Sequence, residues 1–188
     1  YAENNIQNFT HGMFQSVYDY PYLSSSANHI FDITFGTSDI SNLTVTNQAA
    51  KKDNVYNQMA QVLMGYDQNG VIQKFDADGD LTTTGDKLNN VSILSFSRLL
   101  SKDEIKKGSF ELELGVSGSY VKGAQSNVFA KRIKITDQGA ATSYKVNSPA
   151  GEYGILYATA SLGTNILDRT FETAITDGNY WKCGLIYY

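Results

Sequence analysis

Three acidic residues at alternate positions, Asp76, Asp78 and Asp80, stand in the run DQNGVIQKFDADGD at residues 67–80. Alternating carboxylates with glycine are the outline of a calcium loop. An EF-hand loop needs oxygen ligands at positions 1, 3 and 5, glycine at 6 and a bidentate glutamate at 12. Counting from Asp76 puts Leu81 at position 6 and Lys87 at position 12, and counting from Asp67 puts Val71 at position 5. Every register fails. The run reads instead as two turns around a strand: Asn69-Gly70 as a tight two-residue hairpin turn, Val71–Phe75 as the return, and Asp78-Gly79 as the next turn. Asp76 and Asp80 would then bond local backbone donors. No metal or cofactor is expected; Asp76, Asp78 and Asp80 are the candidate ligands should a cation bind.

Other reactive types are sparse. His11 and His29 are the only imidazoles and Cys183 the only thiol, in the apolar run WKCGLIYY, where a small core cysteine is expected. Two histidines are too few for a zinc site without carboxylate help, and no HExxH, G-x-S-x-G, P-loop or dinucleotide fingerprint is present. Glu111 and Glu113 share one face of a strand, the polar face, where solvation is the ordinary fate. A hydrolase would have to use them or Asp76 as acids; no catalytic residue is assigned and no enzyme is expected. The 13 tyrosines and Trp181 could stack on sugars, but most tyrosines lie inside apolar elements, where a phenolic tip at the rim of a core is commoner.

Positioning these residues falls to an α+β chain, mostly antiparallel β sheet or sandwich with two or three helices. Ile6, Phe9, Met13, Phe14 and Val17 fit one face of a short helix over residues 3–18, interrupted by Gly12. The clearest helix is residues 53–64, with Val55, Met59, Val62 and Leu63 as its stripe, Asp53 as cap and Gly65 as stop. Ser101 and Glu104 form a capping box that suits one or two further helical turns. HIFDITFG, VSILSFSRLL, SFELELGV, NVFAKRIKIT, TSYKVNS, EYGILYATA and YWKCGLIYY read as strands. In SFELELGV, Phe110, Leu112, Leu114 and Val116 point inward.

With 188 residues and a net charge of −4, one domain over residues 1–188 is expected, without the clustered basic residues that nucleic acid requires. No apolar stretch reaches the ~20 residues of a membrane span. From a start at Tyr1 and an end inside an expected strand at Tyr188, a fragment of a longer chain is expected.

Three strings are more specific: YNQMAQVLMGYDQNGVIQKFDADGD, FSRLLSKDEIKKGSFELELGV and YKVNSPAGEYGILYA. They resemble a family of large virion structural proteins of T4-like contractile-tailed phages, particularly those infecting marine cyanobacteria. The resemblance runs over most of the chain and implies a non-enzymatic particle component in the tail, baseplate or neck. It implies a location in the virion, with copies of the chain and other virion proteins as partners. The alternative is a receptor- or glycan-binding module at a tail tip, with a host surface glycan as ligand. For an assembly contact the terminal strand is the candidate, through Trp181, Leu185, Ile186, Tyr187 and Tyr188.

Overall fold

A computed structural model describes residues 4–9, 12–38, 47–81, 85, 87–100, 104–117, 131–162 and 180–188. Its elements are β1 (Ile6–Asn8), β2 (Gln15–Tyr18), β3 (His29–Thr37), α1 (Asn47–Leu63), β4 (Phe75–Asp76), β5 (Lys87–Leu88) and β6 (Asn90–Ser95). β7 (Glu111–Ser117), β8 (Lys131–Thr136), α2 (Ala140–Ser143), β9 (Lys145–Ser148), β10 (Gly151–Leu162) and β11 (Trp181–Tyr187) follow. The fold is α+β with predominantly antiparallel sheet, as the strand patterning indicates. The chain divides into two compact units, one of residues 1–75 and 87–104, the other of 76–86 and 105–188.

The first unit holds a four-stranded sheet in the order β1-β2-β3-β6. Its register sets Ile6 opposite Val17 and Val17 opposite Phe31. Residues 3–18 are therefore not a helix where they are described. The three-and-four spacing of Ile6, Phe9, Met13 and Val17 is also met by a hairpin, which turns at Gly12 (φ 64°) and brings Ile6 and Val17 together across the ladder. Pairing to β3 supplies the tertiary support that a glycine-broken helix would lack.

Helix α1 starts at Asn47, earlier than Asp53, and stops at Leu63. Gly65 (φ 79°) donates its N–H to the Ala60 carbonyl at 3.1 Å, as a left-handed carboxyl cap does. Its buried side chains are Ala49, Val55, Tyr56 and Ala60, with Met64 just beyond, while Met59 and Val62 are exposed at 36% and 62%. The buried face is thus rotated from the Val55–Met59–Val62 stripe towards Tyr56. The reason lies in β3: a Cβ on Gly36 would sit 2.9 Å from the Tyr56 Cα, so only glycine lets the helix backbone come so close. Tyr56 donates its hydroxyl to the Leu88 carbonyl at 2.6 Å and accepts the Phe75 N–H at 3.2 Å, and the rings of Tyr56 and Phe75 meet edge to face. Burial raises the Tyr56 phenol above its ordinary value, against the hydrogen bonds.

The second unit holds the path β11-β10-β8-β7, with β9 also paired to β10. β10 carries the buried side chains Tyr153, Ile155 and Ala158. β7 forms over residues 111–117 with Glu111 and Glu113 exposed, although Leu114 is also 39% exposed. From Glu104 to Phe110 there is no helix; Ser101 to Asp103 of the expected capping box, and residues 127–130 of an expected strand, lie outside the described residues. Gly108 (φ 79°) turns the chain here.

Gly36→Ala should cost about 1–3 kcal/mol, because the added methyl meets helix backbone, which cannot swing aside. Urea denaturation of the variant checks this; an unchanged midpoint would mean that α1 slides on β3 at no cost.

Candidate functional site

The Asp76 turn is built from the backbone outward. Asp76 is fully buried, and its Oδ1 accepts the N–H of Asp78 at 3.0 Å and of Gly79 at 3.2 Å. Asp78 Oδ1 accepts the Asp80 N–H at 3.2 Å, so Asp78 braces the loop as well as Asp76. Gly79 (φ 69°) faces Tyr153, whose hydroxyl a Cβ there would meet at 3.0 Å. The Tyr153 hydroxyl donates to Asn147 Oδ1 at 2.6 Å, and Asn147 Nδ2 donates to the Gly79 carbonyl at 3.1 Å. Burial pushes the Tyr153 phenol up against the Asn147 hydrogen bond, and the charges of Asp76 and Asp78 add to the rise.

This architecture also gathers charge. Oxygens of Asp76, Asp78 and Asp80 lie within 4.8 Å of one another, so the three residues singled out in the sequence do come together. They supply three oxygens of the six to eight that calcium takes. Leu81 occupies the left-handed region (φ 58°) at the position where a calcium loop has glycine. Lys182 Nζ already stands 3.7 Å from Asp78 Oδ2 and offsets part of the negative charge. Upstream, the Asn69-Gly70 turn is wider than a two-residue hairpin. Asp67 Oδ1 accepts the N–H of Asn69 and of Val71, each at 2.8 Å, and only Tyr66 and Ile72 form a bridge. The left-handed residue is Gly70 alone (φ 78°), which is why the four-residue turn wins.

A serine, an aspartate and a histidine meet in the first unit, a cluster sequence reading missed because only the β2–β3 register, Ser16 opposite Asp32, creates it. Ser16 Oγ donates to Asp32 Oδ1 at 2.5 Å, and His29 Nε2 lies 2.8 Å from the same oxygen. Nucleophilic catalysis needs the serine on the imidazole and the carboxylate behind it. Here the carboxylate is in the middle and Ser16 is 2% exposed, so the order is wrong and the hydroxyl is closed to substrate. Burial raises the Asp32 carboxyl, but the hydrogen bonds of Ser16 and His29 and the charges of His29 and Arg98 outweigh it and hold it low.

At the terminal strand, Ile186 is 8% exposed, and the Tyr187 ring stacks on Tyr153 with centroids 5.2 Å apart. Tyr188 donates its hydroxyl to Asp137 Oδ2 at 2.9 Å. These three of the five contact candidates are engaged inside the chain; Trp181 and Leu185, half-buried, pair with Ala158 and Ile155. Cys183 is exposed rather than in the core, as the extra residue of a β-bulge between the Gly184–Leu156 and Lys182–Tyr157 pairs. Crowding around its sulfur nevertheless pushes the thiol up to about 12, which keeps it protonated and unreactive despite the exposed area. Glu111 is held by Lys134 at 2.8 Å. His11 lies outside the described residues.

One open depression of about 410 Å³ is lined by Phe35, Thr37, Lys52, Asn90, Val91 and Ser92, with Lys52 Nζ 5.7 Å from the Phe35 ring centre. Comparison with family models, with curated proteins and with solved structures found no match.

Two outcomes follow from these clusters. Lys182→Met should lower stability by up to ~1 kcal/mol at low ionic strength and less in high salt. Millimolar calcium should restore more of the melting temperature to the variant than it adds to the parent; no response in either protein reduces the three carboxylates to turn architecture. For Asp32 the lowered carboxyl contributes stability that is full above the unfolded value of 3.8 and is lost as pH falls through the lower folded value. Asp32→Asn should therefore flatten the acid limb of the stability curve below pH 3.8, as measured by denaturant midpoints.

Proposed function

We propose that this chain is a non-enzymatic structural subunit of a tailed-phage particle, working by association with copies of itself and with neighbouring particle proteins. The observation that carries the reading is the form of the two larger sheets. Each ends in strands whose outer edges no described strand covers, and unpaired edges are templates for addition of another chain. Exposed apolar side chains such as Leu23 (86%) and Val146 (69%) add contact surface of the kind an assembly buries. The resemblance of residues 56–80, 96–116 and 144–158 to particle proteins supplies the biological setting.

A receptor- or glycan-binding module is the second reading, favoured by one observation. Phe35 is 46% exposed, carries the Lys52 ammonium over its ring and is rimmed by Thr37, Asn90 and Ser92. That combination offers a sugar a stacking face and polar partners.

Mass spectrometry and a density map of particles encoding this chain should find it in many symmetry-related copies. Its absence from particles, with the full chain monomeric in solution, sinks the structural reading. A tail-tip position with glycan binding lost in Phe35→Ala would instead support the second.

A further inference from the structure

Of the four strands that end the two longer sheet paths, β1, β6, β7 and β11, three carry devices that resist another strand. β1 is only three residues long. β7 exposes Glu111 and Glu113 and shifts register between Gly115 and Ser117. β11 bulges at Cys183 and bears Lys182 beside the bulge. Short length, charge and bulges are the features by which natural sheets protect their edges. β6 has none of them. Its six residues, NVSILS, contain no charge, proline or glycine, and they pair with β3 residue by residue from Asn90 to Ser95 without a register shift. Among the described residues β3 is its only strand partner.

We infer that the outer edge of β6 pairs antiparallel with β6 of a second copy of this chain, joining two four-stranded sheets into one. This rests on the assembly reading and names its contact, moving it from the terminal strand to β6. The pattern is self-complementary. A two-fold axis normal to the sheet through Ser92 sets Val91 opposite Ile93 of the second copy, and Ile93 opposite its Val91, on one face. Ser92 then faces its own counterpart, so no charge is opposed and two apolar cross-strand pairs form. The strand is also well supported from behind. Thr37 donates its hydroxyl to Asn90 Oδ1 at 2.6 Å, and Ser38 donates its N–H to the Asn89 carbonyl at 2.8 Å, which hold the start of β6 in line with β3. An edge already straight and fixed loses little further freedom when a strand is added.

The test is self-association of the intact chain by analytical ultracentrifugation, in parent, Ser92→Lys and Ser92→Glu. Ser92 is exposed, so either change should leave the circular dichroism spectrum intact. The parent should dimerise, each variant alone should associate about tenfold more weakly through like charges at the axis, and an equimolar mixture of the two should recover the dimer. Recovery by mixing requires the two Ser92 positions to meet and is not expected of a merely destabilised strand. A parent dimer untouched by both variants overturns the β6 contact while leaving the assembly reading in place. A monomeric parent that is nevertheless found in particles does the same. A monomeric parent absent from particles overturns both.

Discussion

The carboxylate of Asp137 is the fixed point of the second unit. It is 1% exposed and accepts three hydrogen bonds: from the Gly108 N–H at 2.7 Å, the Phe110 N–H at 2.9 Å and the Tyr188 hydroxyl at 2.9 Å. A buried carboxylate is tolerable only when its lone pairs are so filled, and bonds to a charged acceptor are roughly twice as strong as neutral ones. Through it the approach to β7, the end of β8 and the residue closing β11 are joined, although they are far apart in the chain. Its own carbonyl accepts the Ala140 N–H at 3.0 Å and so opens α2. Lys107 completes the arrangement, 2.6 Å from Glu152 and against the rings of Tyr144 and Tyr188.

A second regularity accounts for part of the unusual tyrosine content. Tyr56 lies against Gly36, Tyr153 against Gly79 and Tyr188 against Gly154, and in each case a Cβ on the glycine would crowd the tyrosine. In each case too, the phenol has a polar partner: the Leu88 carbonyl, Asn147 and Asp137. A ring seated on bare backbone gains contact area, and a bonded hydroxyl avoids the cost of burying a donor unpaired. The tyrosines at these positions are therefore internal fasteners, whereas Tyr20 and Tyr66, 59% and 51% exposed, are not.

Sequence periodicity was informative where one element faces one environment. The alternation of SFELELGV gave β7, and the helix within residues 47–63 was legible from its apolar spacing and from Gly65. It failed where pairing decides. Ile6 and Val17 satisfy helical spacing and a hairpin equally, and only the partnership with β3 selects the second. The buried face of α1 was misjudged because Gly36, a position on another element, chooses it. Nothing local in the sequence marks Asp137 as a carboxylate whose donors lie 27, 29 and 51 residues away. The acidic residues at 76, 78 and 80 were found from spacing alone, since their convergence is a local property of the turn.

The path of the chain between the two units has a consequence for how the protein comes into being. Residues 76–86 leave the first unit after Phe75, belong with the second, and the chain then returns at Lys87 to lay down β5 and β6. Gly79 is thus made 74 residues before Tyr153, the side chain that seats on it. On a ribosome releasing about 5–20 residues per second, the Asp76 turn waits several seconds for its cover. Neither unit is a continuous stretch that a single cleavage could free, so the two must mature on one chain and in overlapping time.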